Sequence, residues 1–105
     1  MILAEFNHEI AEIHDDRVRG ASELARRCLA VLARAARALP AEHAVELRER
    51  LLSLSAQLAE TRPSMTPIGN LLRRWGDCLT IDAATDLAAA RERAAEGAET
   101  LIVAS

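Results

Sequence analysis

Apolar residues recur along this chain at intervals of three and four, the repeat that gathers them on one face of a helix. Leu3, Phe6, Ile10 and Ile13 keep that spacing with acidic residues between them, and predict a first helix over residues 2–15. After Gly20 the stripe Leu24, Cys28, Val31, Leu32, Ala35 and Leu39 predicts a second helix that ends before Pro40. Arg26, Arg27, Arg34 and Arg37 fall on its opposite side at 100° per residue. Residues 42–60 predict a third helix, with Leu47, Leu51, Leu54 and Leu58 on one stripe and Val45 with Leu52 on another, so it should lie between neighbours. Pro63 stops it. Thr66 and Pro67 read as the cap and first turn of a fourth helix that carries Ile68, Leu71, Leu72 and Trp75. A fifth, alanine-rich helix is expected from Asp82 to about Glu96, its small side chains suited to close packing. Beyond Gly97 the β-branched run Thr100-Leu101-Ile102-Val103 reads as a short terminal strand with nothing in the chain to pair with.

The pattern therefore predicts an all-α fold, a bundle of about five helices over residues 1–97, with residues 98–105 starting a strand that would lead into an absent α/β domain. Composition agrees. The apolar half of the chain is mostly 22 alanines and 15 leucines, and Phe6 and Trp75 are its only aromatics, which favours helix over strand. Four glycines and three prolines leave little material for turns. A chain of 105 residues can bury more than about 60% of its unfolded surface and needs no staple.

Charge changes the picture locally. The net charge of −3 argues against a general nucleic-acid or anionic-membrane binder. Residues 1–16 hold Glu5, Glu9, Glu12, Asp15 and Asp16 with no arginine, whereas residues 17–37 hold six arginines against Glu23 alone. Cys28 and Cys78 lie fifty residues apart, without CxxC spacing and behind an acidic N-terminus unlike a secretory signal, so reduced thiols and a cytoplasmic location are expected. No apolar stretch reaches the roughly 20 residues that a membrane helix needs.

Two short connections combine arginine with a helix start. In Arg17-Val18-Arg19-Gly20-Ala21-Ser22, a helix beginning near Gly20 would leave the N–H groups of Gly20, Ala21 and Ser22 unpaired beside Arg19, and the missing glycine side chain lets a phosphate approach the backbone. In Thr61-Arg62-Pro63-Ser64, Pro63 biases Arg62 to an extended backbone, and its guanidinium is a donor fork suited to phosphate. The plainer readings are a helix joint with solvated arginines, and a helix stop followed by a cap.

The string Asp16-Arg17-Val18-Arg19-Gly20-Ala21-Ser22-Glu23-Leu24-Ala25, followed about forty residues later by Thr61-Arg62-Pro63-Ser64-Met65 and Asn70-Leu71-Leu72-Arg73, resembles the N-terminal helical domain of one family. That family comprises the alpha, beta and delta subunits of eukaryotic translation initiation factor 2B, methylthioribose-1-phosphate isomerase and ribose-1,5-bisphosphate isomerase. The resemblance implies that Arg19, Gly20, Ala21 and Arg62, with Ser22 a weaker candidate, contact a phosphorylated sugar or nucleotide. It implies a Rossmann-like second half that holds the catalytic cysteine and aspartate, so no catalytic residue is expected here and turnover by this chain alone is not. No cofactor or metal is expected.

Other constellations carry less. His8 and His14 are six residues apart and fall on different sides of a helix, which gives zinc no i,i+4 pair. Asp15 and Asp16 beside Arg17 and Arg19 read as a loop of ion pairs. Trp75 reads as core, and Cys28 and Cys78 as core or half-buried thiols. The function read from the sequence is thus a phosphosugar- or nucleotide-binding half-site. Its expected partners are an α/β domain or a further copy of the chain. The alternative is a helical interaction or oligomerisation module. The arginine face of the second helix as a nucleic-acid contact is a weaker third, since no aromatic residues surround it.

Overall fold

The computed structural model describes residues 6–104, which form five helices and, among the described residues, no strand. They are α1 (Asn7–Asp15), α2 (Ala21–Ala38), α3 (Ala44–Thr61), α4 (Thr66–Asp77) and α5 (Leu87–Ala104). Residues 2–5 of the expected first helix lie outside the described residues.

α2 is the centre. It packs against all four other helices, most extensively against α5. Its predicted stripe is buried, and so are Ala25, Leu29, Ala33 and Ala36, which give it a second apolar face. On α5, Ala90, Ala94, Ala95 and Ala98 are buried, and small side chains such as these let helix axes approach closely. The Cα framework measures 41 × 30 × 17 Å, so its thinnest direction holds two helix layers. Trp75 fills the space between α4 and α5, fully buried, and its indole N–H donates to the Ala94 carbonyl at 3.0 Å.

Two expectations about the last segment are corrected. Asp82 does not start a helix, because its carboxylate accepts the N–H of Ala84 and the Thr85 hydroxyl in a local turn. Asp86 is the cap instead, accepting the N–H groups of Ala88 and Ala89. The terminal strand is absent, since residues 98–104 continue α5. Leu101 continues the buried stripe of Ala90, Ala94 and Ala98 one turn further, so its burial in the bundle overrides the β preference of residues 100–103. Gly97 does not end the helix. It faces Trp75, whose Cδ1 would lie 3.9 Å from an added Cβ.

Smaller departures have local causes. Thr66 is the first helical residue of α4, not its cap; Met65 holds the cap position without a side-chain bond. On α3 the Leu47–Leu58 stripe is buried, but the second stripe is only half covered, with Leu52 42% exposed. The start of α3 is fastened by Glu46, which accepts the Glu42 N–H and the Arg50 guanidinium.

Candidate functional site

The two arginine-bearing connections meet at Asp16. α1 ends at Asp15, and Asp16 leaves the helix in extended conformation. Its carboxylate then folds over the loop that follows: Oδ1 accepts the N–H groups of Val18 at 2.8 Å and Arg19 at 3.0 Å, and Oδ2 pairs with the Arg19 guanidinium. Arg27, one turn into α2, approaches the same Oδ2 at 3.5 Å. These donors leave the Asp16 side chain only 5% exposed. The N–H groups of Arg19 and Val18, followed by the Arg19 side chain, hold its carboxyl well below the usual carboxylate range. Asp16 in turn pushes the Arg19 guanidinium up.

Arg62 reaches the same residue from α3. Its Nη1 donates to the carbonyls of Asp16 at 2.6 Å and Ile13 at 3.2 Å, with His14 at 3.5 Å. These carbonyls lie at and just past the end of α1, where Ile13 also accepts the Asp16 N–H at 3.4 Å. The Arg62 backbone, at φ −139° and ψ 68°, is not the extended one expected before Pro63, and this nitrogen is committed to the end of α1. Arg17 donates to the His14 carbonyl at 3.1 Å and leaves Val18 94% exposed between the two arginines.

Gly20 is the N-cap of α2, extended at φ −77° and ψ 173°. It makes no side-chain cap, and no acceptor among the described residues takes the N–H of Gly20, Ala21 or Ser22. Neither backbone conformation nor packing demands glycine here, since a Cβ at this position would meet nothing within 4 Å. Glu12, Asp15, Asp16, Arg17, Val18, Arg19 and Arg27 line a shallow depression beside this end of α2. Arg62 and residues 20–22 are not on its lining.

Residues 17–105 match the initiation factor 2 subunit family. The chain belongs to that family. The matched segment takes in both Arg17–Ser22 and Thr61–Ser64, the two stretches that the fold joins at Asp16. Comparison with curated proteins and with solved structures gave no match.

In this family member three of the α2 arginines pair with acidic residues of neighbouring helices. Arg27 pairs with Glu12 at 2.8 Å, and Arg34 with Glu9 at 2.6 Å while its guanidinium carbon stands 6.0 Å from the Phe6 ring centre. Arg37 pairs with Glu99 at 2.8 Å and reaches Glu92 at 3.6 Å. Glu9 and Glu12 of the acidic run thus pair with Arg34 and Arg27 of the basic run across one helix contact, and Arg37 pairs with α5 instead. That charge asymmetry was the only signal in the sequence for Arg27, whose place beside Asp16 the periodicity did not reveal.

The thiols differ. Cys28 is buried as expected, and burial pushes it up to about 12. Cys78 is exposed just past α4, contrary to the half-buried reading, because the chain leaves the core there. Among the described residues no three His, Cys, Asp or Glu side chains gather to hold a metal ion. No helix among them is long and apolar enough to cross a membrane.

Proposed function

We propose that this domain supplies part of a binding site for a phosphorylated sugar or nucleotide, and that it does not catalyse alone. The observation that carries the reading is the glycine cap of α2 beside Arg19. A serine or aspartate at that position would bond the free N–H groups itself, whereas Gly20 leaves them open next to a guanidinium. Membership of the initiation factor 2 subunit family and the Arg-Gly-Ala and Arg-Pro-Ser motifs support it. Arg19, Gly20, Ala21 and Ser22 are the contact residues in this proposal. Arg62 is a positioning residue, acting through the end of α1 and Asp16.

Asp16 and Cys28 are poor acids and bases at neutral pH. Asp16 is too strongly held as a carboxylate to take a proton readily, and the Cys28 thiol is too high to lose one. In this reading catalysis is left to another domain.

Titration of the chain with ribose 1,5-bisphosphate and with a nucleoside monophosphate, followed by amide resonances, tests the proposal. The shifts should centre on residues 19–22. Arg19→Ala should weaken binding by roughly tenfold or more, the effect of one charge-assisted contact. Arg62→Ala should weaken it less and also destabilise the fold by about 1 kcal/mol, since the Asp16 carbonyl loses its donor. Shifts elsewhere, or none, would reject the site.

An interaction module is the second reading. It rests on the shallow groove between α3 and α4, where Leu52, Ala56, Ala59, Gly69, Leu72 and Gly76 leave an apolar surface. Residues 101–103 add little to such a surface, since Leu101 is buried and, of the three, only Val103 stands well exposed.

A further inference from the structure

The Asp16 carboxylate sits where an oxyanion ligand of Arg19 would sit. It accepts the N–H groups of Val18 and Arg19, pairs with the Arg19 guanidinium, and draws Arg27 to 3.5 Å. Two backbone amides and two guanidiniums around one carboxylate are the donor set that proteins use for phosphate. The charges are balanced without any ligand. Glu12 on α1 takes Arg27 at 2.8 Å, and Glu23 on the first turn of α2 adds a weaker attraction for Arg19. Arg17 and Arg62, the remaining cations here, donate to backbone carbonyls of α1.

We infer that Asp16 is an internal competitor for the anion site, an autoinhibitory carboxylate that a phosphate group must displace from Arg19 before it binds. The inference rests on the anion-site reading above and adds its regulation. Arg19 gives Nη1 to Asp16, so a phosphate that takes this nitrogen displaces the carboxylate from it. Its guanidinium lies on the Asp16 side of the loop, so the fraction of molecules in which it is free sets the apparent affinity: a tenth free means a tenfold weaker ligand. The arrangement withholds Arg19 from free phosphate in the isolated domain, while the N–H groups of residues 20–22 stay open. A larger ligand with further contacts, or a partner that moves the end of α1, opens it.

Asp16→Asn separates the two jobs of this side chain. The asparagine oxygen still accepts the Val18 and Arg19 N–H groups and keeps the loop, but it no longer carries the charge that holds Arg19. Inorganic phosphate is titrated into the unmodified chain, Asp16→Asn, and Asp16→Asn combined with Arg19→Ala. Binding is read from the arginine side-chain and residue 18–22 amide resonances, and helicity from circular dichroism. The single variant should bind phosphate at least about tenfold more tightly than the unmodified chain, and the double variant should lose that gain. Equal affinity in the single variant and the unmodified chain overturns the inference, as does a gain that survives loss of Arg19. Should Asp16→Asn not fold, the unmodified chain at high phosphate decides. The Asp16 carboxyl carbon must shift together with the Arg19 guanidinium; an Arg19 shift without it overturns displacement. Failure here with sugar-phosphate binding intact at residues 19–22 leaves the proposed function standing. Tight phosphate binding by Asp16→Asn with no sugar phosphate bound by the unmodified chain does the reverse.

Discussion

Cys28 and Cys78 carry the same group into opposite surroundings. Cys28 lies on the buried stripe of α2, where removing water disfavours the thiolate and only Arg27 pulls the other way. Cys78 caps α4 at the surface. The thiolate is the reactive form, so a disulfide reagent at pH 8 should modify one thiol of the native chain, Cys78, and reach Cys28 only after unfolding. Two equivalents consumed at the same rate under native conditions would contradict the burial of Cys28. Asp16 shows a similar dependence on place: its neighbour Asp15 touches only His14, at 2.9 Å, while Asp16 gathers two amides and two arginines. Adjacent residues of one type thus have unrelated roles because a helix ends between them.

At the scale of elements, α5 turns on Gly97. In a helix interior glycine costs up to about 1 kcal/mol relative to alanine. The site leaves room for one more carbon, since a Cβ would touch Trp75 Cδ1 at 3.9 Å, an ordinary contact. Gly97→Ala should therefore raise stability by about 0.5–1 kcal/mol, read as a higher urea midpoint with unchanged slope. Gly97→Leu should lower it, because its further carbons have to displace a buried indole. A destabilised alanine variant would mean that close approach of α5 to Trp75 needs glycine.

For the whole molecule, ion pairs orient the helices around an apolar core and supply little stability each. Three carboxylates nonetheless give a pH signature. Asp16, Glu46 and Glu99 are all depressed, by backbone donors first at Asp16 and Glu46 and by Arg37 at Glu99. A carboxyl whose folded value lies below its unfolded one stabilises the fold fully above the unfolded value, about 3.8 for aspartate and 4.5 for glutamate, and that contribution fades as pH falls through the folded value. The urea midpoint should change little from pH 7 to 5 from these groups and fall from pH 5 to 3, and Asp16→Asn should blunt the lowest part of that fall. A midpoint that rises on acidification would reverse the assigned shifts.

α1 to α4 and most of the core were legible in the sequence, because their apolar residues repeat at the helical period and proline or glycine marks the ends of α2, α3 and α4. Local chemistry misled where two signals of the same kind compete. Asp82 and Asp86 are both good caps, and only the turn closed by Thr85 shows which one starts α5. Residues 100–103 have β-branched side chains, and only the neighbouring bundle gives Leu101 a buried place in a continued helix. The candidate site divides the same way. Arg19, Gly20 and Arg62 stood out by type and spacing, which depend on the chain alone. That Arg62 closes α1, that Arg27 joins Arg19 and that both face Asp16 depend on residues from three helices meeting at one point, a matter of packing that no local pattern encodes.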